Sequence, residues 1–218
     1  MRKWIAVCGA LAALMLSGCA QHKTPHDYSA FRASKPASIL VLPADNKAPD
    51  INAAHSLTSL VTLPLAEAGY YVFPVAVVEE TFQQNGLTNG SEIQAVSPKR
   101  LNEIFHADSA LYISITDYGT SYRVIDSVTT VSATARLIDL RSGKEIWKGF
   151  ATASDNEGGN NNSGGLIGML VSAAINQIAS NISDKAHTVA GLTSSRLLAH
   201  NEQGGLLTGP HFKTIVAR

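Results

Sequence analysis

The chain has 218 residues, 45% of them hydrophobic, with 17 Lys+Arg against 17 Asp+Glu. That is enough for one packed core, and too even in charge for a nucleic-acid binder, which needs a basic field to neutralise phosphates. Its only cysteines, Cys8 and Cys19, stand at the N-terminal end, so the rest of the chain can hold no disulfide, zinc finger or thiol nucleophile.

Arg2 and Lys3 precede an unbroken apolar run from Trp4 to Leu16, the charged and hydrophobic regions of a secretory signal. The run is too short to span a bilayer. Its end, Leu16-Ser17-Gly18-Cys19, resembles the bacterial lipobox, which implies cleavage before Cys19 and a lipid thioether on its sulfur. Residues 1–18 are then a signal peptide. Cys8 is the weaker rival, because Val7 stands where a small residue is expected. Removal of Arg2 and Lys3 leaves 15 basic against 17 acidic residues, a formal charge of −2 that speaks against polybasic docking on a membrane. Two acyl chains would anchor the protein by on the order of 20 kcal/mol. Ala20 follows the cysteine, not the Asp that signals inner-membrane retention in such lipoproteins. Outer-membrane sorting is expected, with the body facing the periplasm.

Residues 19–36 read as the lipidated cysteine and a polar tether. Its 17 residues after Cys19 would reach at most roughly 55 to 60 Å when extended. Tyr28 and Phe31 are the exception, since two aromatics are wasted in a spacer, and they are expected to pack on the body. Residues 37–200 read as the folded domain. Ser38–Pro43 is a continuous apolar run, the pattern of a strand buried on both faces. Asn52–Ala68 has helical spacing with Gly69 as its stop, and Pro64 should bend or shorten it. Tyr70–Val75 reads as a strand, Val77–Gln84 as a helix ended by Asn85-Gly86, and Pro98–Phe105 as a helix with Leu101, Ile104 and Phe105 on one face.

The second half reads as an antiparallel meander of Ala110–Tyr118, Thr129–Leu140 and Glu145–Ala153. In the middle run Val131, Ala133, Ala135 and Leu137 alternate with Thr130, Ser132, Thr134 and Arg136, so one face is buried and the other is wet or covered by a partner. Asp139 to Lys144 is a hairpin loop with Gly143 where positive φ is needed. Asp155–Gly165 is a low-complexity loop. Leu166–Ile182 is a helix apolar nearly all round, packed in the core or forming a face for self-association. Residues 201–218 read as an irregular tail wrapped loosely over the surface.

No catalytic, cofactor-binding or metal-ligating constellation emerges. The glycines before Leu166 lack the Gly-Lys-Ser/Thr of a phosphate loop. His22 and His26 have a metal spacing, but Pro25 lies between them. Glu79-Glu80 reads as a solvated face. Asp117-Tyr118-Gly119 with Tyr122 at a strand end either lines a pocket or caps a sheet edge, and the edge is the simpler reading.

The segments Tyr28–Arg32, Lys35–Pro43, Pro64–Pro74, Gln84–Thr88 and Thr116–Tyr122 resemble a neisserial-antigen-type family of outer-membrane lipoproteins, the domain of unknown function DUF799, over nearly all of the mature chain. The resemblance implies a fold like the TolB N-terminal and CsgG periplasmic domains, and a partner among CsgG-like pore lipoproteins. It carries no catalytic residues. The expected fold is a single α/β domain, a mixed sheet of about five strands with flanking helices. The expected function is non-enzymatic, as an accessory or assembly component of a CsgG-like export or envelope complex, with Cys19 lipidation as the one site. Activation of a peptidoglycan synthase is the alternative. Membrane lipid, protein partners or a second copy of the chain are the expected contacts, with no cofactor and no metal.

Overall fold

A computed structural model describes residues 26–122, 127–157 and 182–213. The lipobox with Cys19, His22, most of the low-complexity loop and nearly all of Leu166–Ile182 lie outside the described residues.

Helix α1 (Ser29–Ser34) leads into strand β1 (Ser38–Val41) and the short β2 (Asp45–Asn46). Then come α2 (Ala53–Leu60), α3 (Thr62–Glu67), β3 (Tyr71–Val72), α4 (Val75–Gln84), α5 (Gly90–Gln94) and α6 (Pro98–Phe105). The meander is β4 (Ser109–Tyr122), β5 (Ser127–Asp139) and β6 (Glu145–Ser154), and α7 (Ile182–Leu197) follows. The six strands form one mixed sheet in the order β3-β1-β4-β5-β6, with β2 also paired to β4. β1 runs parallel to both β3 and β4, while β4-β5 and β5-β6 are antiparallel. This is the α/β class expected, with one more strand.

β1 behaves as its sequence dictates. Ile39 and Val41 enter one apolar cluster and Leu40 and Leu42 the other, all within 1% of complete burial. Helices α1, α2, α3 and α7 cover one face, and α4, α5 and α6 cover the β1 side of the opposite face.

The helix expected over Asn52–Ala68 is two helices, broken at Val61 and not at Pro64 itself. Proline has no N–H to give the carbonyl four residues earlier, so Leu60 loses its partner and the break falls one turn upstream. The Ser194 hydroxyl of α7 donates to that Leu60 oxygen at 3.1 Å. Gly69, at φ +88°, then closes α3 with two bonds, Gly69 N–H to Ala66 and Tyr70 N–H to Leu65, the pairing of a Schellman cap. β3 is shorter than the Tyr70–Val75 run, because Pro74 ends it and serves as N-cap of α4.

Ser97 caps α6, its hydroxyl accepting from Arg100 N–H at 3.3 Å, with Pro98 in the first turn. Leu101 is buried, but Ile104, expected beside it, is 42% exposed, since this eight-residue helix turns only one narrow stripe inward.

α7 has an inward stripe of Ala186, Val189, Ala190, Thr193, Ser194 and Leu197, each buried. Small residues let it lie close on the sheet, and Thr193 Oγ1 donates to Val131 of β5 at 3.1 Å. The residues after it are irregular but not loose. Leu206 is fully buried, Tyr70 donates its hydroxyl to the Leu207 carbonyl, and Gly209 and His211 N–H donate to Ala68 and Gly69 at 2.7 and 3.1 Å.

Candidate functional site

Three places outside the plain core ask for a function, and the N-terminal one comes first in the chain. Tyr28 and Phe31 are 5% and 4% exposed, packed as their aromatic character demanded. The Tyr28 hydroxyl donates to the Gly205 carbonyl at 2.6 Å and accepts from Gly204 N–H at 3.0 Å. Trp147, buried on β6, donates Nε1–H to the Gly204 carbonyl at 3.2 Å. Gly149 leaves the room for that indole, because a Cβ there would stand 2.5 Å from it. The start of the body is thus clasped to its C-terminal segment. Eight residues separate Cys19 from Tyr28, and fully extended that stretch would reach about 30 Å. His26 stacks on Tyr28 with ring centroids 4.5 Å apart.

At the far end of the sheet, β4 carries a bulge between Ile115 and Asp117. One extra residue reverses the alternation of the strand, so Tyr118 turns toward the α2–α7 face. Its hydroxyl donates to Ser56 Oγ at 2.7 Å, and Ser56 Oγ lies 2.7 Å from His187 Nδ1. Burial pushes the Tyr118 hydroxyl pKa up. A cavity of about 920 Å³ adjoins it, lined by Asp50, Asp117, Gly119 and Tyr122 among others. The strand-end residues Asp117, Tyr118, Gly119 and Tyr122 therefore do line a pocket, which the sequence left as the lesser reading. Ser56 and His187 were missed, for they come from separate helices and share no local pattern.

The third place is the open half of the sheet. On the face opposite α7, Ser114, Thr134 and Phe150 lie side by side on β4, β5 and β6, with the Ser114 hydroxyl and Ser132 buried and exposure among the three confined to Phe150 on the β6 side. Phe150 is 66% exposed. Thr152 donates to Ser132 at 3.0 Å beside it, and Arg136 covers the Tyr112 ring at 5.6 Å where the helical layer ends. Period-two reading of Lys148, Phe150 and Thr152 was the available signal for an aromatic on the wet face.

The remaining candidates are ordinary. Glu79 is half-buried, 3.5 Å from His55, and Glu80 is exposed and bonded to Gln84. Asp155, at the start of the low-complexity loop, is held by Lys185 at 2.6 Å and accepts from Thr129 N–H. Among the described residues no three His, Cys, Asp or Glu gather closely enough to hold a metal ion, and no helix is long and apolar enough to cross a membrane.

Residues 26–211 match the family model "Putative lipoprotein GNA1162-like". A curated relative from Neisseria meningitidis serogroup B, "Putative lipoprotein NMB1124/NMB1162", is 52% identical over 94% of this chain and 95% of its own length. The crystal structure of lipoprotein GNA1162 from Neisseria meningitidis is 58% identical, covers 67% of this chain and 100% of that one, and aligns with a TM-score of 0.54. The C-terminal domain of LpoB from Escherichia coli is more distant, 17% identical over 66% of this chain and 92% of that one, with a TM-score of 0.39. With the match running from His26 to His211, the chain belongs to the GNA1162-like lipoprotein family.

Proposed function

We propose that this protein is a non-enzymatic, protein-binding lipoprotein of the outer membrane, anchored through Cys19 with its body in the periplasm. The observation that carries this reading is the burial of Tyr28 so soon after Cys19. A lipid at Cys19 holds the start of the body within about 30 Å of the membrane, whatever the spacer does. The body works beside the membrane as a docking platform, and the open β4-β5-β6 face with Phe150 is where a protein partner docks.

Two partner classes fit the chemistry, and reach distinguishes how each would work. A CsgG-like pore lipoprotein in the same membrane lies alongside, so assembly with it needs no longer tether. Activation of a peptidoglycan synthase requires the enzyme to bring one of its own domains to the membrane surface, because the spacer cannot cross the periplasm.

The experiment is cross-linking and mild-detergent purification of the wild-type protein and Cys19→Ala, paired with a synthase assay. Lipidated protein should recover one stable partner that Cys19→Ala recovers at least tenfold less. A pore lipoprotein in that fraction supports the first partner class, and stimulation of the synthase supports the second. Equal recovery by Cys19→Ala, or no partner and no stimulation, overturns the reading.

A further inference from the structure

The near-neutral total charge speaks against membrane docking by a basic patch, but an average over the chain does not describe one face. Helix α1 is the first element after the spacer, and its surroundings are cationic on both flanks. On one side, Arg32 and Lys35 stand over a groove of about 380 Å³ floored by Phe31, Pro36, Leu207 and Pro210. On the other, Arg141 and Lys144 border a hollow against Ala30, Ala33 and Ser34. All four cations are exposed.

Of the acidic groups nearby, Asp139 is buried and Asp108 half-buried, while Asp27 and Glu202 are exposed. Asp139 is 4% exposed, and its carboxylate takes hydrogen bonds from Ser34 at 2.5 Å and from Ser142 at 2.7 Å, with Arg141 3.6 Å away. Asp108 accepts from Ala37 and Ser38 N–H, both at 3.0 Å. Glu202 lies 4.0 Å from Arg32, and Asp27 accepts from Ser29 N–H. Lys35 and Lys144 have no carboxylate within 4.0 Å among the described residues.

We propose that the α1 face docks on the membrane itself, with the groove taking an anionic phospholipid. The lipid phosphate sits between Arg32 and Lys35, and its first apolar carbons lie against Leu207 and Pro210. Three features favour this occupant. The charge is complementary. An apolar floor with a cationic rim matches an amphiphile and not a free anion. The groove also begins at Phe31, whose ring packs on that of Tyr28, and the stretch from Cys19 to Tyr28 spans at most about 30 Å. This inference rests on the anchored reading above only for its setting. The contact itself belongs to the folded body.

The test therefore removes the anchor. Full-length mature chain carrying Cys19→Ala is sedimented with vesicles of phosphatidylcholine alone or with phosphatidylglycerol added, at low and high salt. Binding should appear only with phosphatidylglycerol and fall as salt screens it. Arg32→Glu with Lys35→Glu should weaken it by about tenfold or more, while Lys47→Glu, at the other end of the sheet, should not. Thermal melts of each variant establish that the fold survives. Equal binding to neutral vesicles, no binding at all, or full binding by the double variant overturns the proposal. Failure of the anchored reading would show separately, as absence of acyl-chain labelling on the wild-type protein.

Discussion

The two halves of the sheet's second face are built for different ends. Beside β1, Leu40 and Leu42 meet Val78, Phe82, Ile93 and Leu101 under helices α4 to α6, and the strand is sealed on both sides. Beside β6, the same face carries Thr134, Phe150 and Thr152 with no helix above Phe150 among the described residues. The parallel half must be covered, because its crossover helices return over the sheet and its strand is apolar on both sides. The antiparallel half is free to alternate, and hairpin connections leave one face available. If the open half is the docking face proposed above, stability is concentrated in the first half and recognition in the second, and substitutions should separate the two.

The largest effect is expected from Leu40→Ala. Leu40 is fully buried, and its removal leaves a cavity that neither helix nor sheet can easily close. The cost should be about 3 to 4 kcal/mol, read as a lower urea midpoint with an unchanged slope. A loss under about 1 kcal/mol would mean that the helical cover over β1 is mobile and that the contrast between the halves is weaker than drawn.

Asp139 gives a second measure, at the hairpin that joins the sheet to α1. Burial raises its carboxyl pKa, but the hydroxyls of Ser34 and Ser142, Ser142 N–H and Arg141 more than offset this, and the net shift is downward. A carboxylate whose pKa falls on folding contributes stability above its unfolded value of about 3.9. That contribution is lost as pH drops through the lower folded value. Asp139→Asn should cost about 2 kcal/mol at pH 7. Urea midpoints of the wild type and the variant should then converge below pH 4. A gap that stays constant with pH would show that the carboxylate is not the source.

Most of this was legible in the residues themselves. Ser38–Pro43 has the pattern of a doubly covered strand, and the alternation of β5 marks one buried face and one that is wet or covered by a partner. What escaped had weak local signals. α7 buries Ala186, Ala190, Thr193 and Ser194, side chains too small or too polar to register as an apolar stripe, and its fit depends on closeness to β5. α5 offers Ile93 as its one buried residue. The pocket at Tyr118 depends on a bulge that shifts the strand by one residue, and the Ser56 and His187 contact depends on two helices separated by more than a hundred residues. The clasp of Tyr28 with Gly204 and Gly205 joins residues 176 and 177 apart in the sequence, a pairing with no local signal.

The smallest effect on stability should come from Phe150, on which the proposed docking face turns. Phe150 is two-thirds exposed, and its ring has little contact to lose. Phe150→Ser should change stability by no more than about 0.5 kcal/mol, as a surface substitution away from any packed feature. Serine also suits a position flanked by Thr134 and Thr152 on the same face. A large exposed aromatic on an otherwise hydroxylated sheet face is the kind of anchor that carries binding energy out of proportion to its area. Partner recovery in the cross-linking experiment should therefore fall by tenfold or more while the urea midpoint stays in place. Retained recovery would move the docking surface elsewhere, and a marked loss of stability would mean that Phe150 is packed in solution and that this half of the sheet is closed as well.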